Sequence, residues 1–230
     1  MITHFKDAIS VRKFVLLFIV SIPSKTDERL FFPATELNRE PISQVLSKII
    51  PKSGFILEIA SGSGEHGVLF QERFPNICWQ TSDPDPLCRR SISAWINHKA
   101  LSKKMPAPID LDVEKRPWPL NNQLCASIKA IVCINMLHIS PWRCTNALFE
   151  EAGNLLHKDQ LLMIYGPFKI NGKHISESNV QFNESLKAQN SDWGVRDLNE
   201  VHDIAIKNRF NKLQIIEMPS NNFSVIFQMK

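Results

Sequence analysis

Two carboxylates beside a glycine turn are the residues in this chain best placed to do chemistry. Glu58 stands inside the apolar run Phe55-Ile-Leu-Glu-Ile59, which leads into Ala60-Ser-Gly-Ser-Gly-Glu-His-Gly67. Asp83 closes the run Ile77-Cys-Trp-Gln-Thr-Ser-Asp83, about 20 residues after the first glycine, the spacing at which a carboxylate takes ribose hydroxyls. Gly62, Gly64 and Gly67 satisfy G-x-G-x-x-G, a turn whose backbone can approach a ligand where a Cβ would collide. That spacing alone admits either a dinucleotide or S-adenosylmethionine, and the acids separate the two. A pyrophosphate pressed on the turn would be repelled by Glu58. Adenosylmethionine has no phosphate and carries an ammonium and a sulfonium, so an acid there suits it, either directly or by ordering the loop and a water. An NAD-dependent oxidoreductase is the weaker reading on this ground.

Further candidates stand where apolar runs end. Ala107-Pro-Ile-Asp-Leu-Asp-Val113 alternates like a third short strand and puts Asp110 and Asp112 on one face. Asp112 is the better placed to accept a hydrogen bond from an adenine amino group, with a turn acid before Pro117-Trp-Pro119 as the competing reading. The run from Ile128 delivers Asn135 to the cofactor and His138 just beyond it, and Leu161-Leu-Met-Ile-Tyr165 delivers the chain's one tyrosine. Ligands of open parallel sheets bind at such carboxyl ends. His138 and Tyr165 are therefore expected to face the transferring methyl group. Histidine, which titrates near neutral pH, is the candidate general base. Asn38 and Arg39 crowd the start of a helix marked by Pro41, as a lid over cofactor or substrate or as a solvated helix entrance.

The elements that must position these residues alternate strand and helix, which predicts an α/β fold with a doubly wound, mostly parallel seven-stranded sheet. Its last two strands, Leu213–Met218 and Phe223–Phe227, are joined by Pro219-Ser-Asn-Asn222, too short for a crossover, so they must pair antiparallel. That shape is usual for class I methyltransferases and less typical of NAD domains. Residues 169–193, polar and weakly periodic, read as an excursion over the sheet edge where substrate contacts gather. Residues 27–230 form the domain, and residues 1–26 read as an amino-terminal extension.

Of 230 residues, 43% are hydrophobic, enough for one sizeable core and unlike the composition of a disordered chain. A net charge of +4, scattered along the chain, does not indicate a nucleic-acid partner. The five cysteines form no C-x-x-C pair and read as free thiols, with no metal site, in a reducing, cytoplasmic compartment. Phe14-Val-Leu-Leu-Phe-Ile-Val20 after Lys6, Arg12 and Lys13 has the look of an export signal. It is too short to span a bilayer and is followed by no clear cleavage site. Nothing assigns an oligomeric state.

The stretches Glu36-Leu-Asn-Arg-Glu-Pro-Ile42, Leu57-Glu-Ile-Ala-Ser-Gly-Ser-Gly64, Ser82-Asp-Pro-Asp85, Cys133-Ile-Asn-Met-Leu-His-Ile-Ser-Pro-Trp142, Tyr165-Gly-Pro-Phe168, Trp193-Gly-Val-Arg-Asp-Leu198 and Glu217-Met-Pro-Ser-Asn-Asn222 occur in order. Together they resemble the little-characterised family of class I methyltransferases that includes methyltransferase-like protein 26. The resemblance implies an adenosylmethionine-dependent enzyme with no settled substrate, acting on a small molecule or peptide. Leu37 departs from the arginine usual there, residues 1–26 have no counterpart, and Ala60 replaces the first glycine of the general class I motif, a change this family tolerates. The other functional reading is a protein that binds adenosylmethionine or adenosylhomocysteine without turnover.

Overall fold

The computed structural model describes residues 27–230, with Lys212 and Leu213 described by their backbone alone. The boundary expected at residue 26 and the signal-like run both lie outside the described residues.

Along the chain, α1 (Pro33–Ile49) precedes β1 (Gly54–Ile59), α2 (Glu65–Arg73), β2 (Ile77–Thr81) and α3 (Pro86–His98). A short α4 (Asn122–Ser127) leads into β3 (Ile128–Ile134), α5 (Trp142–Leu155) and β4 (Leu161–Gly166). Then come β5 (Phe168–Ile170), β6 (Lys173–His174), α6 (Glu177–Gln189), β7 (Arg196–Asp197) and α7 (Leu198–Lys207). The hairpin of β8 (Phe210–Met218) and β9 (Asn222–Met229) ends the domain.

Six strands make the main sheet in the order β2-β1-β3-β4-β9-β8, parallel from β2 to β4 and antiparallel at β9 and β8. The order reverses after β1, so the carboxyl ends of β1 and β3 diverge and open a crevice there. Each central strand is buried on both faces. Ile56, Val132 and Met163 meet Phe70, Trp79, Ile42 and Leu46 under α1, α2 and α3, whereas Leu57, Ile131 and Ile164 meet Leu148, Phe149 and Val201 under α5 and α7. Glu58 and Tyr165 fall on the α1–α2 face, because side chains alternate along a strand. Polar caps set the helix starts: Asp85 accepts from Leu87 N at 2.8 Å ahead of α3, and Asp197 accepts from Asn199 N at 2.8 Å ahead of α7.

Three local expectations are corrected. The run 107–113 is a seventh strand only at one bridge, Ser82 to Ile109, made by Asp83 N to Ile109 O and Ile109 N to Thr81 O, each 3.0 Å. Pro106 and Pro108 withhold the donors a longer ladder needs. Pro41 does not open its helix. The helix opens at Pro33 and runs through Pro41, so Asn38 and Arg39 lie within it. The hydrogen bond that Pro41 cannot make would have gone to Leu37, a residue 71% exposed, while Ile42, Val45 and Leu46 are buried. Finally, residues 169–193 contain two short strands and α6, a thirteen-residue helix capped by Ser176, whose side chain accepts from Asn179 N. The small sheet β6-β5-β7 holds this excursion together.

Candidate active site at the carboxyl ends of the strands

The glycine turn is shaped by its backbone before any ligand arrives. Ala60, Gly62 and Gly64 all have positive φ, at 54°, 59° and 90°. Ala60 is therefore held in the left-handed region at a cost of about 1–2 kcal/mol that a glycine would not incur. Gly67 acts by size. A Cβ there would stand 2.6 Å from Thr81 Cγ2 and 3.0 Å from Glu58 Oε2, so its absence lets α2 lie directly on β1 and β2.

Both acids lie beneath this turn. Glu58 is fully buried, and its Oε2 accepts from Trp79 Nε1 at 3.0 Å while Oε1 meets no hydrogen-bond geometry with any of the described residues. Burial lifts its pKa to about 7. Asp83 accepts from Gly62 N through Oδ2 and from Asp85 N through Oδ1, both at 2.9 Å, so it fastens the turn to the end of β2. Burial lifts it also to about 7, against the pull of those two N–H groups. Among the described residues no cation acts on Glu58, and Arg89 is the one cation that acts on Asp83, as the weakest of its influences, while itself occupied with Asp83 O, Pro84 O and Asp110. Two buried carboxylates thus flank one turn without neutralisation.

The chain before β1 roofs the turn. Phe32 Cε2 lies 3.1 Å from where a Gly62 Cβ would stand, and Phe32 N donates to Glu65 Oε2 at 2.9 Å. The same oxygen accepts from Ser63 Oγ at 2.9 Å, and Arg39 approaches the other carboxylate oxygen at 3.9 Å. From α1, Asn38 reaches inward. Its Oδ1 accepts from His66 Nε2 at 2.7 Å, and its side chain faces the Tyr165 hydroxyl, whose pKa it draws down against burial. His66, Asn38 and Tyr165 are only 6%, 7% and 3% exposed, so water does not compete for these polar contacts. They join α2, α1 and β4 above the sheet. Burial, aided by Arg39, holds His66 down to about 3, and burial lifts Tyr165 to about 12, so at neutral pH both are uncharged.

His138 sits in a short 3-10 turn, Leu137–Ile139, after β3. Its Nδ1 is 3.2 Å from where a Gly166 Cβ would stand, and Asn135 Oδ1 is 3.8 Å from that point. His138, Asn135 and the end of β4 therefore share one corner. Asn135 has φ 59°, and its N donates to Tyr165 O at 2.9 Å. Phe182 of α6 packs edge-on to the His138 ring at 5.5 Å. The expectation that His138 titrates near neutrality is corrected: burial, with Arg196 adding to it, pushes the ring down to about 3. It is a neutral hydrogen-bonding group at working pH.

Asp112 is engaged within its own loop. Its Oδ1 accepts from Glu114 N at 3.1 Å, its Oδ2 lies 3.4 Å from Lys115 Nζ, and Asp110 pairs with Arg89. Two residues escaped the reading of the sequence. His66 stands in the first turn of α2, where a histidine beside three glycines carries no type-specific signal. Arg196 donates from Nε to Leu137 O at 3.0 Å and from one terminal nitrogen to Ser140 O at 2.5 Å and Asp192 O at 2.7 Å, clamping the turn that carries His138.

A family profile described as "Protein of unknown function (DUF938)" matches residues 29–229. Among solved structures, an O-methyltransferase family protein from Burkholderia thailandensis superposes with a TM-score of 0.70 at 13% identity, over 86% of this chain and 57% of its own. Mitomycin 7-O-methyltransferase MmcR gives 0.69 at 11% identity, over 84% and 54%. The S-adenosylmethionine-dependent methyltransferase SibL, in its apo form, gives 0.68 at 10% identity, over 96% and 68%. The chain spans little more than half the length of the first two. At these identities the likeness is one of fold, and the fold is the Rossmann-like one of class I methyltransferases.

Proposed function

We propose that this chain, which belongs to the DUF938 family, is an S-adenosylmethionine-dependent methyltransferase acting on a small-molecule or peptide acceptor. The finer kinship with methyltransferase-like protein 26 rests on the motifs quoted above. The observation that carries the reading is the pair of buried carboxylates, Glu58 and Asp83, left without a neutralising cation at the glycine turn. A cationic cofactor without phosphate supplies the missing charge, whereas a pyrophosphate would add to the excess. When bound, it supplies a methyl group made electrophilic by sulfonium.

The residues divide the work by position. Glu58, Ala60, Gly62 and Gly64 meet the methionine part, Asp83 takes the ribose hydroxyls, and Asn135 and Asp112 border the adenine side. On the α1 side, Asn38 and Arg39 close over the acceptor. Tyr165, too weak an acid to ionise at neutral pH, offers its hydroxyl as a hydrogen-bond donor to the acceptor. His138 orients the acceptor atom and accepts a hydrogen bond from it, and positioning for in-line displacement does most of the work. Against an acceptor found by a methyl-transfer screen of a metabolite extract, the pH–rate profile should show no inflection near 6.5 that His138→Asn removes. Such an inflection would restore His138 as a base of ordinary pKa.

The charge argument has its own measurement. Both acids have raised pKa values, so their contribution to the stability of the free protein is complete below about pH 4 and is lost as pH rises to about 7. A cation favours their ionised forms. Calorimetry between pH 5.5 and 7 should therefore show S-adenosylmethionine binding more tightly as pH rises, by up to about tenfold per unit for each proton released. Buffers of different ionisation enthalpy should report that release. Affinity independent of pH over this range, or tight NAD binding, would sink the proposal. If binding is found but no acceptor turns over, the chain is a cofactor-binding protein without catalysis.

A further inference from the structure

We propose that the cleft between β5, α6 and β7 binds an oxyanion, a carboxylate or phosphate group carried by the methyl acceptor. Only the naming of the ligand as the acceptor rests on the methyltransferase reading. The cleft encloses about 350 Å³ and is lined by Lys169, Lys187, Arg196, Asn183, Asp197 and Glu200 among others.

Register brings the charges together. Lys169 of β5 pairs directly with His174 of β6 on one side and with Asp197 of β7 on the other, so the three share a face of the small sheet. Lys187 reaches the same place from α6, its Cε lying 3.4 Å from where a Gly194 Cβ would stand. Among the described residues neither lysine has an ion-pair partner. The acids offset them only in part: the lining holds three cations, Lys169, Lys187 and Arg196, against two carboxylates, Asp197 and Glu200, and Asp197 already accepts from Gly172 N and Asn199 N. Arg196 is committed to backbone carbonyls. His174 registers the surplus: besides desolvation, both Lys169 and Lys187 lower its pKa, and Glu184 opposes them least. An anion here relieves repulsion among like charges that the protein itself leaves standing.

The position suits an acceptor. The wall of the cleft is the segment Gly194 to Arg196. Gly194 N donates to His138 O at 3.0 Å, and Val195 N donates to Asn183 Oδ1 at 3.0 Å. A molecule anchored by its oxyanion against this wall lies one backbone segment from the corner formed by His138, Asn135 and the end of β4.

His174 is a built-in reporter, because its Nδ1 is enclosed without a hydrogen bond among the described residues and its titration answers to the charges around it. Proton–carbon NMR of the full chain, with the His174 signal assigned through His174→Gln, should give a pKa below the ordinary histidine value. Inorganic phosphate or succinate should raise it by about 0.5 or more, as a bound anion favours the charged ring. Potassium chloride at matched ionic strength should give only the smaller rise that comes from screening the two lysines, which is common to all three salts. In Lys169→Gln/Lys187→Gln, His174 should titrate higher without any anion and lose its response. A response to phosphate alone assigns a phosphorylated acceptor, and a response to succinate alone a carboxylic acid. Equal shifts with chloride, no shift with either anion, or a response that survives in the double variant would overturn the site. The measurement needs no cofactor, so failure of adenosylmethionine binding and failure of this cleft are read separately.

Discussion

Asp83→Ala should weaken S-adenosylmethionine binding in calorimetric titrations by over a hundredfold, about 3 kcal/mol. Charge-assisted bonds to the ribose hydroxyls contribute about 1.5–3 kcal/mol. The variant also releases Gly62 N and Asp85 N from the carboxylate that now holds them, so the turn loses its tie to β2 as the ligand loses its partner. Asp83→Asn separates the two effects, since its amide oxygen keeps one acceptor for the backbone while the charge is gone. Thermal unfolding of each variant should give a cooperative transition, which checks that the folded state survives. An affinity within a few-fold of the parent in Asp83→Ala would mean that the ribose is held elsewhere and that the cofactor assignment is mistaken.

Gly64→Ala should destabilise the protein by about 3 kcal/mol and lower its melting temperature by roughly 6–12 °C. Two costs add. The residue holds φ at +90°, and a Cβ there would meet Ile92 Cα and Cγ1, each at 2.8 Å, the first being backbone of α3 that cannot swing away. Gly67→Ala is the control. It is crowded at 2.6 Å by the side chain of Thr81, but its backbone is helical and alanine is favoured over glycine there by about 1 kcal/mol. The second variant should therefore lose less. Equal losses would show that contact, and not the left-handed backbone, sets the cost at Gly64.

The parts of this fold that were legible in the sequence are those where residue type and spacing have one physical meaning. Ile56, Leu57 and Ile59 read as a strand covered on both faces, and the four-residue link before Phe223 could only join antiparallel neighbours. Glu58 and Asp83 were legible because an acid at the end of a buried strand needs a reason. Residues whose meaning depends on distant partners were not legible. The buried side chains of α6 are Asn179, Asn183 and Leu186, two of them amides, so the helix has no apolar stripe to read. Asn183 is buried because it serves Val195 N, a bond that no local pattern announces. Pro41 marked a helix start by rule, whereas the same rule holds at Pro33, and the contact of Phe32 N with Glu65 across the glycine turn favours that entry. His66 and Arg196 acquire roles only when α1 and the turn after β3 arrive beside them.

The polar bridge from His66 through Asn38 to Tyr165 also bears on how the chain is made. Asn38 leaves the ribosome ahead of both partners, and at roughly 5–20 residues per second Tyr165 follows it about 6–25 s later. Throughout that interval α1 has the apolar face of Ile42, Val45 and Leu46 to cover and no finished sheet to cover it with. Nascent chains stalled before β4 should hold α1 loosely and be cut there by added protease. Chains stalled after Tyr165 has cleared the exit should resist.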